Sequence, residues 1–225
     1  MRNIQFQNDC YYHVFNRGVD KREVFLDDKD FIRFIKSMWE FNQIEPIGSF
    51  YEKYNQEINR TSGVQHPIGC WTPQVLLKDR LVEFICFCLN PNHYHFLIKQ
   101  LIESGISEFM KRLIGGYTNY FNKRNKRKGS LFETTYNAIK VKTDEYLQYL
   151  SCYINGNVEI HKISKAKNWP WSSYQDYLGI RQRTLCNTEV ILKDFQDVLE
   201  YQELADYVIK NSAERKEEIK KYLLE

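Results

Sequence analysis

The segment His93-Tyr94-His95 carries side chains whose types and spacing suit metal chemistry. β-prone residues surround it, and side chains alternate between the two faces of a strand. His93 and His95 are therefore predicted to share one face, with Tyr94 on the other. Two imidazoles on one face of a rigid sheet can bind a metal ion together. We interpret this pair as a candidate metal site.

A second pair, Tyr153 and Asn157, can complete such a site because residues four apart lie on one face of a helix. The Asn157 amide oxygen suits Mg²⁺ or Mn²⁺, and the Tyr153 hydroxyl would be a nucleophile close to that Lewis acid. The alternative for Tyr153 is a packed aromatic residue on an amphipathic helix. Three other pairs have the same spacing: Tyr12–Asn16, Tyr51–Asn55 and Tyr207–Asn211. The first of these falls on a strand, where four residues span about 13 Å, and the others fall in an insertion and a C-terminal tail.

The elements that must position these residues follow the order β-α-β-β-α-β-α. Apolar periodicity predicts strands at 11–17, 81–89, 93–99 and 131–142, and helices at 28–43, 105–124 and from residue 143. The first six elements predict a ferredoxin-like α+β fold, in which helices back a four-stranded antiparallel sheet. We predict one domain over residues 1–180, with an insertion at about 46–80, and a C-terminal helical extension over 181–225.

Composition limits the class of protein. The chain has 225 residues, of which 43% are hydrophobic, and this is enough to form a real core. No apolar run approaches the ~20 residues of a membrane helix, the N-terminus lacks the apolar stretch of a signal peptide, and six irregularly spaced cysteines suit reduced thiols. A cytoplasmic protein is expected. The net charge of only +3 is a weak indication of nucleic-acid binding.

Several ordered motifs resemble the REP-associated tyrosine transposases, a branch of the single-tyrosine HUH transposases. The resemblance covers roughly residues 10–180. The motifs are Tyr12-His13-Val14-Phe15-Asn16-Arg17-Gly18, Cys88-Leu89-Asn90-Pro91-Asn92-His93-Tyr94-His95-Phe96-Leu97, Tyr117-Thr118-Asn119-Tyr120-Phe121-Asn122, Gly129-Ser130-Leu131-Phe132, Asp144-Glu145-Tyr146-Leu147, Tyr153-Ile154 with Asn157, and Trp169-Pro170-Trp171-Ser172-Ser173-Tyr174.

The resemblance implies a metal-dependent endonuclease and strand transferase that acts on single-stranded or hairpin-containing DNA. The metal histidines of the family correspond to His93 and His95, its third ligand to Asn157 and its nucleophile to Tyr153, which agrees with the spacing argument. Attack by Tyr153 on the scissile phosphate would leave a 5′-phosphotyrosine and a free 3′-OH. Related enzymes occur as dimers, so a homodimer is compatible with the resemblance.

Basic and aromatic side chains are candidates for DNA contacts. Five of the six residues 123–128 are Lys or Arg, a run that predicts either a solvated helix end or a phosphate-binding patch. The candidate phosphate contacts are Arg17, Lys111, Arg112, Lys123, Arg124 and Arg127. Trp169 and Trp171 are candidates for base stacking, with the alternative that they pin an aromatic loop onto the core.

Two other functions fit parts of the sequence. Cys86, Cys88, His93 and His95 form a Cys-x-Cys-x₄-His-x-His pattern whose side chains suit tetrahedral zinc. A non-cleaving nucleic-acid-binding protein could also use the same fold, because a fold does not determine an activity.

Overall fold

The computed structural model describes residues 4–45, 80–133, 135–181 and 185–222, with side chains described up to residue 216. Apart from Arg80, the predicted insertion at 46–80 lies outside these ranges. The four strands are β1 (Tyr11–Arg17), β2 (Val82–Asn90), β3 (His93–Gln100) and β4 (Asn137–Lys140). The helices within the described ranges are α1 (Asp28–Glu40), α2 (Gly105–Arg124), α3 (Asp144–Asn155), α4 (Asn157–Ile160), α5 (Tyr174–Tyr177), α6 (Glu189–Leu192) and α7 (Val198–Tyr222).

The sheet has the order β2-β3-β1-β4, and every neighbouring pair is antiparallel. This arrangement confirms the predicted ferredoxin-like α+β fold. Strand β4 is shorter than the predicted 131–142, because its ladder with β1 ends at the pair Phe15–Asn137, and residues 131–133 pair with the chain after β1 only through an isolated antiparallel bridge between Phe132 and Gly18. There the Val19 amide donates to the Leu131 carbonyl, and the Glu133 amide donates to the Arg17 carbonyl.

One face of the sheet packs against α1 and α2. Tyr12, Val14, Tyr94 and Phe96 point into this first core together with the apolar faces of the two helices. Helix α1 begins where the Asp27 carboxylate accepts a hydrogen bond from the Asp30 amide, which satisfies a free N–H of the first turn. Both crossover helices therefore lie on the face away from His93 and His95.

The opposite face packs against α3 and the C-terminal helices. Cys86, Cys88 and Leu97 point into this second core, and α7 contributes Tyr201 and Ile209. The Tyr201 hydroxyl accepts a hydrogen bond of 2.9 Å from the Asn155 side chain at the end of α3. The described part of the extension thus supports the helix that carries Tyr153. None of the helices in the described ranges combines the length and apolar character of a membrane-spanning helix.

Candidate metal and tyrosine site

The β2–β3 hairpin holds the two candidate histidines. Only Pro91 and Asn92 separate the strands, so that Asn90 pairs with His93 across the turn and Cys88 pairs with His95. Both imidazoles lie on the α3 face and are buried, while Tyr94 is fully buried in the first core. The alternation that defines a strand places the imidazoles side by side, with ring centroids 5.3 Å apart.

Helices α3 and α4 bring Tyr153 and Asn157 over these imidazoles. Helix α3 (Asp144–Asn155) is capped at its N-terminus by Thr143, whose hydroxyl accepts a hydrogen bond from the Tyr146 amide. Gly156 separates it from α4, and a Cβ at Gly156 would lie 2.2 Å from Cγ1 of Ile209. The close approach of α7 therefore requires glycine at the point where the chain turns Asn157 towards the sheet.

The four side chains converge. The Asn157 Oδ1 atom lies 3.1 Å from His93 Nε2, and the Tyr153 ring centroid lies 6.0 Å from that of His95. Adjacent ligands of an octahedral Mg²⁺ ion lie about 3 Å apart. The His93 nitrogen and the Asn157 oxygen are thus spaced as two ligands of one hard divalent cation would be, so this pair fits such an ion.

Asn90 is an unpredicted member of the site. Its fully buried amide nitrogen lies 2.6 Å from Asn157 Oδ1 and 2.8 Å from His93 Nε2. The other His93 nitrogen, Nδ1, lies 2.6 Å from the Asn92 side-chain oxygen, to which it can donate. The Nε2 atom then accepts a hydrogen bond from Asn90. A cation bound by His93 Nε2 and Asn157 Oδ1 would replace the hydrogen bonds that the Asn90 amide donates to these two atoms. The Asn157 Nδ2 atom is buried and has no hydrogen-bond partner among the described residues.

Burial keeps the histidines of this site neutral. Desolvation lowers the pKa of His93 to about 4 and the pKa of His13 to about 4, and it lowers the pKa of His95 well below its usual range. Neutral imidazoles retain the lone pairs that metal ligation requires. Burial also raises the pKa of the Tyr153 hydroxyl, and the neighbouring Asn157 side chain offsets part of that increase. The chain alone therefore holds Tyr153 in its protonated form at neutral pH.

Two further side chains border His93. The His161 ring centroid lies 4.5 Å from that of His93, and Lys216 of α7 donates to His161 Nδ1 over 2.8 Å. Sequence reasoning missed His161, Asn90 and His13. Strand alternation could have placed His13 on the same face of the sheet as His95. Phe15 pairs with His95 in the strand register, and His13 precedes Phe15 by two residues, so the two share a face.

The candidate phosphate contacts lie on both sides of the sheet. Arg17 ends β1 opposite His93, and its charge contributes to the lowered pKa of His93. The others lie on or just after α2, in the layer away from Tyr153: Lys111, Arg112, Lys123, Arg124 and Arg127. Lys123 is exposed, and Lys111 forms an exposed pair with Glu108.

The three arginines of that set are bonded within the protein. Arg112 donates to Glu108 and to the carbonyl of Gln43, and Arg124 forms ion pairs with Asp27 and Asp30. Arg127 donates to the Asn122 side chain and to the carbonyl of Ser130. These contacts favour a structural role for Arg112 and Arg124, and they hold Arg127 at the end of α2.

Trp169 and Trp171 pack against α1. The Trp171 ring stacks on Phe31 with centroids 4.9 Å apart and planes within 6°. The Trp169 indole donates to the carbonyl of Leu89 over 2.9 Å, and its ring meets the edge of Phe31. Both indoles therefore pin the aromatic loop to the core, although each remains partly exposed.

The alternative zinc set is not assembled. In the part of the chain that the structure describes, no three side chains of the types His, Cys, Asp and Glu form a possible metal-binding group. Burial raises the pKa of Cys88 to about 12 and raises that of Cys86 well above its usual range, as expected for thiols inside an apolar core. The sequence pattern therefore reflects two core cysteines next to the paired histidines.

Comparisons with known proteins agree with the fold. Residues 71–157 match the family model described as "Transposase IS200 like". A REP-associated tyrosine transposase, solved bound to a REP hairpin, aligns with 84% of this chain and 92% of its own, at 12% identity and a TM-score of 0.51. The tRNA(His) guanylyltransferase from Saccharomyces cerevisiae aligns with 91% of this chain and 79% of its own at 13% identity, but its TM-score of 0.27 is too low to support a shared fold. No curated protein sequence matches significantly. The resemblance that the motifs predict is confirmed as a similarity: residues 71–157 match the model of the IS200-like transposases, and the chain shares its fold with a REP-associated tyrosine transposase.

Proposed function

We propose that this chain is a transposase-like enzyme that nicks and rejoins single-stranded DNA through Tyr153. His93, His95 and Asn157 would hold the Mg²⁺ or Mn²⁺ ion. The observation that carries the proposal is the convergence of these side chains, from a β-hairpin and from the α3–α4 junction, on one face of the sheet. Hairpin-containing DNA is the proposed partner, since a solved structure with the same fold is a transposase bound to a REP hairpin.

Each residue has a defined role in the proposed reaction. The Tyr153 hydroxyl gives up its proton as its oxygen forms a bond to phosphorus, the P–O3′ bond breaks, and the departing 3′ oxygen takes up a proton, so that no net proton is gained or lost. The product is a 5′-phosphotyrosine, and attack by a 3′-OH reverses the step and rejoins the strand. The divalent ion, when bound, supplies Lewis-acid activation of the phosphate. Arg17, exposed at the end of β1 beside His93, is the proposed phosphate contact nearest to Tyr153.

The test is covalent capture of a 3′-labelled single strand that contains a hairpin. Wild-type protein with Mn²⁺ should retain the label on a denaturing gel, because the 5′ phosphate of the downstream fragment stays on the protein. Tyr153→Phe should abolish this adduct and leave hairpin affinity unchanged. Tyr149→Phe is the matched control, since Tyr149 lies one turn earlier on α3 and is 38% exposed.

A second candidate is a non-cleaving binder of hairpin DNA on the same fold. One observation favours it: the Asn90 amide bonds to both His93 and Asn157, so hydrogen bonds within the protein suffice to hold these side chains together, as a binder without cleavage chemistry would require. Binding of hairpin strands without any adduct, across a panel of sequences with Mg²⁺ and Mn²⁺, would support this candidate. An adduct that survives Tyr153→Phe would contradict the choice of nucleophile.

A further inference from the structure

The imidazole of His13 contacts the His95 ring on the side that carries Nδ1. The Nε2 atom of His13 is 2.8 Å from Nδ1 of His95, although 82 positions separate the two residues. Both side chains are buried, and their rings are nearly parallel, with centroids 5.1 Å apart. The pair therefore forms a short hydrogen bond between two buried imidazoles.

A hydrogen bond between neutral imidazoles has two arrangements. In one, His95 Nδ1–H donates to His13 Nε2, so that the remaining nitrogen of His95, Nε2, keeps a lone pair. In the other, His13 Nε2–H donates to His95 Nδ1, so that His95 Nε2 carries the proton. Each neutral ring has only one N–H, so the choice made at His13 determines whether His95 can act as a ligand.

We infer that His13 is a positioning residue that accepts a hydrogen bond from Nδ1 of His95 and thereby leaves His95 Nε2 available to the divalent cation. The inference rests on the metal site of the proposed function. It parallels His93, whose Nδ1 lies 2.6 Å from the Asn92 side-chain oxygen. Each candidate histidine ligand then has its Nδ1 bonded to a protein acceptor, and such outer partners set both the tautomer and the ring orientation of a ligand.

Among the residues that the structure describes, His13 is the hydrogen-bond partner of His95 Nδ1. Phe15 also lies against His95, with ring centroids 5.6 Å apart and planes within 21°. Phe15 can restrain the ring by packing, but it has no acceptor for an N–H. A comparison of substitutions at His13 and Phe15 therefore separates the hydrogen bond from the packing.

The experiment measures Mn²⁺ affinity of the DNA-free protein by electron paramagnetic resonance. His13→Phe removes the acceptor and keeps a ring, and we expect Mn²⁺ binding to weaken by about 10–100-fold. His13→Gln, whose amide oxygen can accept from Nδ1–H, should recover most of that loss. Phe15→Leu should change the affinity by only a few-fold. Circular dichroism spectra and unfolding midpoints confirm that each variant is folded.

A second readout is independent of these substitutions. Nitrogen-15 NMR of labelled histidines in the wild-type protein with Mg²⁺ should place the His95 proton on Nδ1 and leave His13 Nε2 unprotonated. Equal Mn²⁺ affinity of His13→Phe and wild type, or a proton on His95 Nε2, would overturn the inference and leave the metal site intact. If wild-type protein binds no Mn²⁺, the proposed metal site itself fails.

Discussion

The substitution Gly156→Ala tests how closely α7 packs against the turn that presents Asn157. Gly156 has φ −86° and ψ −2°, so its backbone conformation is open to alanine. Alanine at a helical position is up to about 1 kcal/mol more favourable than glycine. Without tertiary contacts, this substitution would therefore stabilise the protein.

The contacts of Gly156 in the folded protein predict the opposite effect on stability. The added Cβ would lie 2.2 Å from Cγ1 and 2.6 Å from Cδ1 of Ile209, and 3.1 Å from the carbonyl oxygen of Cys152. Ile209 is only 7% exposed, so its side chain has little room to move aside. Overpacking of a core by one methyl group costs about 1–3 kcal/mol. After the gain in helix propensity, we expect Gly156→Ala to lower the free energy of unfolding by about 1–2 kcal/mol.

The assay is a double-mutant cycle that combines Gly156→Ala with Ile209→Ala, in which urea unfolding gives the free energy of unfolding of each of the four proteins. Ile209→Ala alone should cost about 2–5 kcal/mol because it leaves a cavity. In that background the clash is absent, so Gly156→Ala should be neutral or stabilising, and the two effects should be non-additive. Mn²⁺ affinity should follow the same pattern because Asn157 is the next residue. A stabilising effect of Gly156→Ala in the wild-type background, or equal effects in both backgrounds, would refute the close packing of α7 at Gly156.

Four further outcomes follow from the site. The free energy of unfolding of the metal-free protein should fall as the pH drops from about 6.5 to 4, by about 3 kcal/mol for His93 and a similar amount for His13. The reason is that both histidines bind a proton at a higher pH in the unfolded chain than in the folded protein. A flat pH profile of stability in urea would contradict this. Arg124→Met should lower the thermal midpoint and leave hairpin affinity within a few-fold, as measured by calorimetry and fluorescence anisotropy, since its guanidinium is already paired within the protein. Trp171→Leu should likewise lower stability more than affinity, in the same two assays, because its ring stacks on the core. Arg17→Gln should weaken hairpin binding and reduce the salt slope of log Kd by about one, and an unchanged slope would exclude Arg17 as a phosphate contact.

Local patterns were sufficient for the order of elements and for the faces of the strands. The alternation of His93, Tyr94 and His95 predicts two imidazoles on one face and a core tyrosine on the other, because strand geometry has a period of two. The length of β4 was less predictable. Residues 131–136 have strand-like composition, but the continuous ladder with β1 ends at Asn137, and 131–133 pair only through an isolated bridge at Gly18, which depends on how the chain runs after β1.

The helix carrying Lys123 and Arg124 illustrates a second limit of the sequence. A run of basic residues indicates phosphate binding only if its charges are unpaired and lie near the reacting groups. The acids that pair with Arg124 come from the start of α1, more than 90 positions away, and α2 lies in the layer opposite Tyr153. Neither fact is encoded in the basic run itself.

The sequence by itself determined the types of the candidate ligands, their spacing along a strand and a helix, and the family that the motifs resemble. Only the tertiary structure decided that His13 bonds to His95, that the Asn90 amide bonds to both His93 and Asn157, and that Ile209 of α7 packs against Gly156. The physical reason is that periodicity constrains neighbours along one element, whereas these contacts depend on strand register and on helix packing between residues far apart in the chain.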